Sequence, residues 1–155
     1  MRAESIALLA ILAMGSASSE LAVPRRAAAR LRSDFARAEK VELLRLQPTE
    51  LPEAGPPPKS SVTFHDQPIL RSVVLSSEQA ARAGKQVTDS IARNPVLMTA
   101  CFYPRHGIRL TRGAQHVDLV ICFECETVHV YRGGAMERLN IDEAPRAALD
   151  AFLAL

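Results

Sequence analysis

The chain places cysteine at only three positions, Cys101, Cys122 and Cys125, all within 25 residues, and His106 falls between the first two. Three thiols and one imidazole match in number and type the donors of a tetrahedral zinc site, whereas three thiols in one chain cannot all pair as disulfides. Cys122-Phe-Glu-Cys125 supplies one half-site, and Cys101 and His106, bent toward each other by Pro104, supply the other. The fifteen residues between His106 and Cys122 are enough for a hairpin that would bring the halves together. The expected metal set is therefore Cys101, His106, Cys122 and Cys125, with zinc as the cofactor such a set would hold.

Other chemistries compete for the same residues. In an exported protein a bridge from Cys101 to Cys122 or Cys125 is ordinary and leaves one thiol free. A dithiol redox centre should sit where a strand feeds a helix, but Cys125 is followed by the β-like Thr127-Val-His-Val-Tyr131. Haem attachment needs a histidine directly after the second cysteine, and Glu126 stands there. The zinc deaminase pattern, a nucleophile elbow, a P-loop and a dinucleotide fingerprint are all missing from the sequence, so no catalytic or cofactor-binding residue is assigned and the reading leans away from an enzyme. Glu124 and Glu126 read as solvated turn carboxylates. His65, His116 and His129 have no partner at site spacing and read as surface or satisfied residues, His129 on the solvent side of its strand.

The segments Cys101-Phe-Tyr-Pro-Arg-His-Gly-Ile108 and Val117-Asp-Leu-Val-Ile-Cys-Phe-Glu-Cys125 together resemble an uncharacterised family of small exported bacterial proteins with a C-x-x-P-R-H segment and a C-F-x-C strand. The resemblance spans about residues 100 to 131, a fifth of the chain. It implies an exported bacterial protein in which Cys101, Pro104, Arg105, His106, Cys122 and Cys125 form one recurrent constellation.

The elements that must position these residues follow from periodicity. Val117, Leu119, Ile121 and Phe123 are apolar at odd positions and Val128 and Val130 at even ones, so the inward face changes parity across the CxxC. That change requires a bulge or a tight turn at the cysteines, which would aim both sulfurs to one side. Ile108 to Thr111 and Val117 to Ile121 flank Arg112-Gly-Ala-Gln115 and should pair as antiparallel strands. Val62 to Phe64 and Ile69 to Leu75 form a second hairpin around His65-Asp-Gln-Pro68. Ser76 and Gln79 make a capping box ahead of Ala80, Ala83, Val87 and Ile91, a helix that Asn94-Pro95 stops. Asp142 caps a closing helix whose Leu149, Phe152 and Leu153 face inward. The expected fold class is α+β: a small antiparallel β-meander with two helices packed on one face, plus an N-terminal helical arm.

Along the chain this divides into a signal peptide over 1-18, a helix-and-strand arm over 19-47, a Pro-rich linker over 48-60 and an α+β domain over 61-155. The leader rests on Arg2, the nine apolar residues Ile6 to Met14 and the small residues Gly15 to Ser19. Nine are too few to cross a bilayer, so no transmembrane segment is expected in the mature chain, which is placed in the periplasm or outside the cell. A formal charge of +2 gives no case for nucleic acid as a partner, and sixteen of nineteen cations being Arg reads as coding bias. The functional expectation is an exported binding or structural module stabilised by the Cys/His cluster, its partner a protein or envelope component. The alternative is a thiol-redox or metal-handling protein of the bacterial envelope.

Overall fold

The computed structural model describes residues 20–49 and 62–154. Helix α1 (Ala22–Arg37) leads into strand β1 (Lys40–Leu46); β2 (Thr63–Phe64) and β3 (Gln67–Val74) follow, then helix α2 (Ser77–Arg93). Strands β4 (His106–Arg112), β5 (Gln115–Cys122), β6 (Thr127–Arg132) and β7 (Ala135–Asn140) form a meander closed by helix α3 (Arg146–Ala154). The class is α+β, with one seven-stranded antiparallel sheet in the order β2-β3-β1-β4-β5-β6-β7.

Local chemistry bounds α2 and the β4–β5 turn where the sequence predicts, whereas Asp142, expected to cap the closing helix, bonds the Ala144 N–H ahead of a helix that begins at Arg146. The Ser76 hydroxyl accepts from the Gln79 N–H at 3.2 Å, and the Gln79 side chain accepts from the Ser76 N–H at 2.9 Å, closing the capping box of α2. Gly113 takes a φ of 53° in the β4–β5 turn, a backbone state that glycine adopts without steric cost. His65 and Asp66, at φ 47° and 66°, make the two-residue turn of the β2–β3 hairpin, whose twist matches that of the flanking strands. Pro68 therefore lies inside β3 rather than in the turn.

One face of the sheet carries the main core. Leu43, Ile108, Leu119, Ile121, Val128 and Leu139 meet Leu31 of α1, Val87 and Ile91 of α2 and Leu149 of α3, all at 1 % exposure or less. Each such side chain contributes about 1.5–3 kcal/mol relative to exposure. The two helices expected on one face, α2 and α3, are joined there by α1. At Gly84 of α2 an added Cβ would lie 2.8 Å from the Phe35 ring, so α1 rests on bare helix backbone at that point.

The stretch 19-47, expected as an arm beside a 61-155 body, supplies β1 between β3 and β4 and a helix of the same core. Val41 and Leu43 of β1 join the main core while Leu44 and Leu46 join a smaller cluster on the other face, so the strand is buried on both sides. The leader over 1-18 and most of the linker over 48-60 lie outside the described residues. No helix among the described residues is long and apolar enough to cross a membrane.

Candidate functional site

The parity change at the CxxC is a tight turn. Residues 123–126 connect β5 to β6, with Cys122 paired to Thr127, Glu126 at φ 48° and its N–H bonded to the Phe123 carbonyl. The stretch from Pro95 to Arg105 leaves the end of α2 and crosses to the sheet's second face, where Phe102 packs against a smaller buried cluster of Leu44, Leu46, Phe64 and Val120. Its course is pinned by hydrogen bonds from the Leu97 N–H to Asn140 Oδ1 (2.6 Å), between the Thr99 and Thr127 hydroxyls (2.8 Å) and from Arg138 to the Thr99 carbonyl (2.7 Å). It ends at the turn, where Cys101 is joined to Cys125 in a disulfide with Cα atoms 5.8 Å apart, an ordinary separation for such a bridge.

Cys122 keeps its thiol and is buried. The Tyr103 N–H donates to its Sγ at 3.3 Å, so the segment that supplies Cys101 to Cys125 also reaches Cys122. Burial pushes the Cys122 thiol up, against the smaller opposing pull of backbone N–H groups from Tyr103 and Cys125. A thiol so placed holds little thiolate at neutral pH and is a poor nucleophile.

His106 is not with the sulfurs. It pairs with Ile121 across β4 and β5, and Ile121 faces the main core, whereas the next residue, Cys122, follows the opposite side of the strand. The imidazole, 2 % exposed, lies edge-on to Phe123 and donates through Nε2 to Asp150 Oδ1 at 2.8 Å. Arg45 pairs with the same carboxylate at 2.9 Å. Burial lowers the His106 pKa below its usual value, outweighing the pull of Asp150, so the ring is neutral at neutral pH and its hydrogen bond donates to a carboxylate. Burial alone would raise Asp150, but the His106 bond and the Arg45 and Arg146 charges hold its carboxyl below the usual range. Cys101, His106, Cys122 and Cys125 thus form no single coordination set in this arrangement, and among the described residues no group of three or more His, Cys, Asp or Glu side chains is placed to hold a metal ion. Glu124, expected in solvent, pairs with Arg105 and Arg146 at 3.4 Å.

This second face holds another constellation, built from histidines that sequence spacing leaves without partners. Phe64 covers Gly107, where an added Cβ would lie 2.8 Å from the Phe64 ring, and this close approach swings the β2–β3 turn over the sheet. His65 then donates through Nε2 to Asp118 Oδ2 at 2.9 Å and stacks on Tyr131 with ring centres 3.7 Å apart. Arg109 donates to both oxygens of Asp118, at 2.9 and 2.7 Å. Burial favours the neutral Asp118 carboxyl, but the bonds from Arg109 and His65 together outweigh it and lower the pKa. Beside this group His129 stacks on Phe102 at 3.8 Å, and burial, with the Arg138 charge, lowers its pKa. His129 does face away from the main core, yet the stapled segment partly covers it. His116 hydrogen bonds through Nδ1 to Thr111.

One signal in the sequence points to this second group: Asp118 interrupts the apolar run Val117 to Ile121, and His129 and Tyr131, two apart in β6, must share a face. His65 and Asp118, 53 positions apart, carry no such signal. Comparisons with protein families, curated proteins and solved structures return no match.

Proposed function

We propose that the chain is an exported, disulfide-stapled binding or structural module of the bacterial envelope, acting on a protein or envelope component through the stapled segment that covers the second face of its sheet. The observation that carries this reading is the Cys101–Cys125 bridge, which fastens the 95–105 segment where Phe102 lies on His129. A bridge of this kind persists in oxidising compartments, in keeping with the leader read from the sequence. The fastened segment also carries Val96, Leu97 and Met98, three consecutive apolar residues left exposed, Met98 at 85 %. Consecutive exposed apolar side chains on a held segment suit a contact surface. Buried Cys122, with its raised pKa, favours a structural bridge over thiol exchange.

Alkylation of the denatured, unreduced protein followed by mass mapping tests the reading. It expects Cys122 alone to be alkylated and Cys101 linked to Cys125. Three reactive thiols accompanied by one equivalent of zinc in the native mass would replace the staple with a metal centre. A Cys122–Cys125 bridge would replace it with the redox alternative.

A further inference from the structure

We infer that the cleft between α1 and α2 is a binding site for a single-chain amphiphile with an anionic head, such as an alkyl carboxylate. This goes beyond the staple reading, since none of the cysteines lines the cleft. The cleft has a volume of about 490 Å³ and runs along α2 from Ser77 to Lys85. At a helical rise of 1.5 Å per residue its length is roughly 12 Å. Volume and length both suit a small apolar ligand.

The cleft exists because the facing residues are small. Ala36, Ala38, Ala80, Ala81 and Gly84 all line it, and Phe35 lies against the Gly84 backbone. Its floor is apolar, closed by Phe35 and by Val41, which is buried in β1. The charged residues lining it are Arg32 and Lys85, both cations. Among the described residues both pair with one carboxylate, Asp89, at 2.7 and 2.5 Å, so two cations at the mouth face one anion. An alkyl chain on the floor removes apolar surface from water, and a carboxylate head at the mouth meets these cations. A neutral or cationic head gains nothing there.

Calorimetric titration of the full chain with decanoate, decanol and decyltrimethylammonium tests the inference, with light scattering recording the oligomeric state. Decanoate should bind saturably with one site and roughly tenfold tighter than decanol, and the ammonium should bind weakest. Ala81→Leu, at an exposed helix position, should abolish binding at unchanged Tm, while the Arg32→Ala/Lys85→Ala pair should remove the preference for decanoate over decanol. Equal affinity for the three heads, or unchanged binding in Ala81→Leu, overturns the site. So does a lack of saturable binding, whether a second copy covers the cleft, seen as a dimer, or this chain's own residues fill it, seen as a monomer.

Discussion

The buried imidazole of His106 meets the half-exposed carboxylate of Asp150, Nε2 to Oδ1 at 2.8 Å, a bond that ties β4 to α3 on the core side of the sheet. The other ring nitrogen, Nδ1, is buried without a hydrogen-bond partner among the described residues, so a proton added there would have no acceptor. The cost of charging the ring is thus the burial of a cation with one unsatisfied N–H, and the site favours the neutral imidazole.

A pH dependence follows, with a definite sign. Burial lowers His106 and His129 below the ordinary imidazole value, so the unfolded chain takes up these protons first as pH falls. Their contribution to stability is whole above about 6.5, the unfolded value, and is lost as pH drops through the folded values. The urea midpoint should fall between about pH 7 and pH 5, and less steeply in His106→Gln. A midpoint that rises over this interval contradicts the assignment.

Asp142 is the joint between α2 and the start of α3. It accepts from Ser90 (2.7 Å), Arg93 (2.7 and 2.9 Å), Asn94 (3.1 Å) and the Ala144 N–H (3.0 Å). Burial alone would raise its carboxyl, but these donors together drive it far below the usual range. Its stabilisation is present above the unfolded value of about 3.9 and is lost as pH falls through the folded one. Asp142→Ala should cost about 2–4 kcal/mol in urea unfolding, because several donors lose their acceptor at once. A cost under about 0.5 kcal/mol would show the joint to be dispensable.

The disulfide closes a loop of sequence separation 24. Cys125→Ser should destabilise by about 3 kcal/mol, and reduction of the native protein should do the same. Cys122→Ala should cost only the lost packing of one thiol, and native Cys122 should resist an aromatic disulfide reagent until denaturant is added. Equal effects of the two substitutions would argue for one shared site.

Gly107→Ala places a methyl against the Phe64 ring. The expected cost is about 1–3 kcal/mol by thermal unfolding, with part of it recovered when Phe64→Leu is added. Additive losses in the double variant would mean that the ring does not press on this strand.

Elements set by neighbours in sequence are legible from it, and those set by distant partners are not. The capping box at Ser76, the stop at Asn94 and the Gly113 turn act within a few residues, so α2 and the β4–β5 hairpin read directly. Strand β7 escapes notice because Ala-Met-Glu-Arg-Leu-Asn has no β-branched residue, and its pairing is imposed by the Gly133–Gly134 turn. The insertion of β1 depends on pairing Arg45 with His106, which no local pattern encodes. At the site, the cysteines lie in segments whose course the turn fixes, and Cys101 does meet Cys125. His106 goes elsewhere because strand alternation turns it toward a helix forty-four residues on.

The placement of β1 has a consequence for a nicked protein. Its ladder partners are Val74 to Ile69 on one flank and Thr111 to His106 on the other, all later in the chain. A protease that severs the backbone between Thr49 and Val62 would leave the amino-terminal piece clasped on two sides by its former continuation. The two fragments should co-elute under native conditions and part only in denaturant, and separately purified halves should reconstitute one another on mixing.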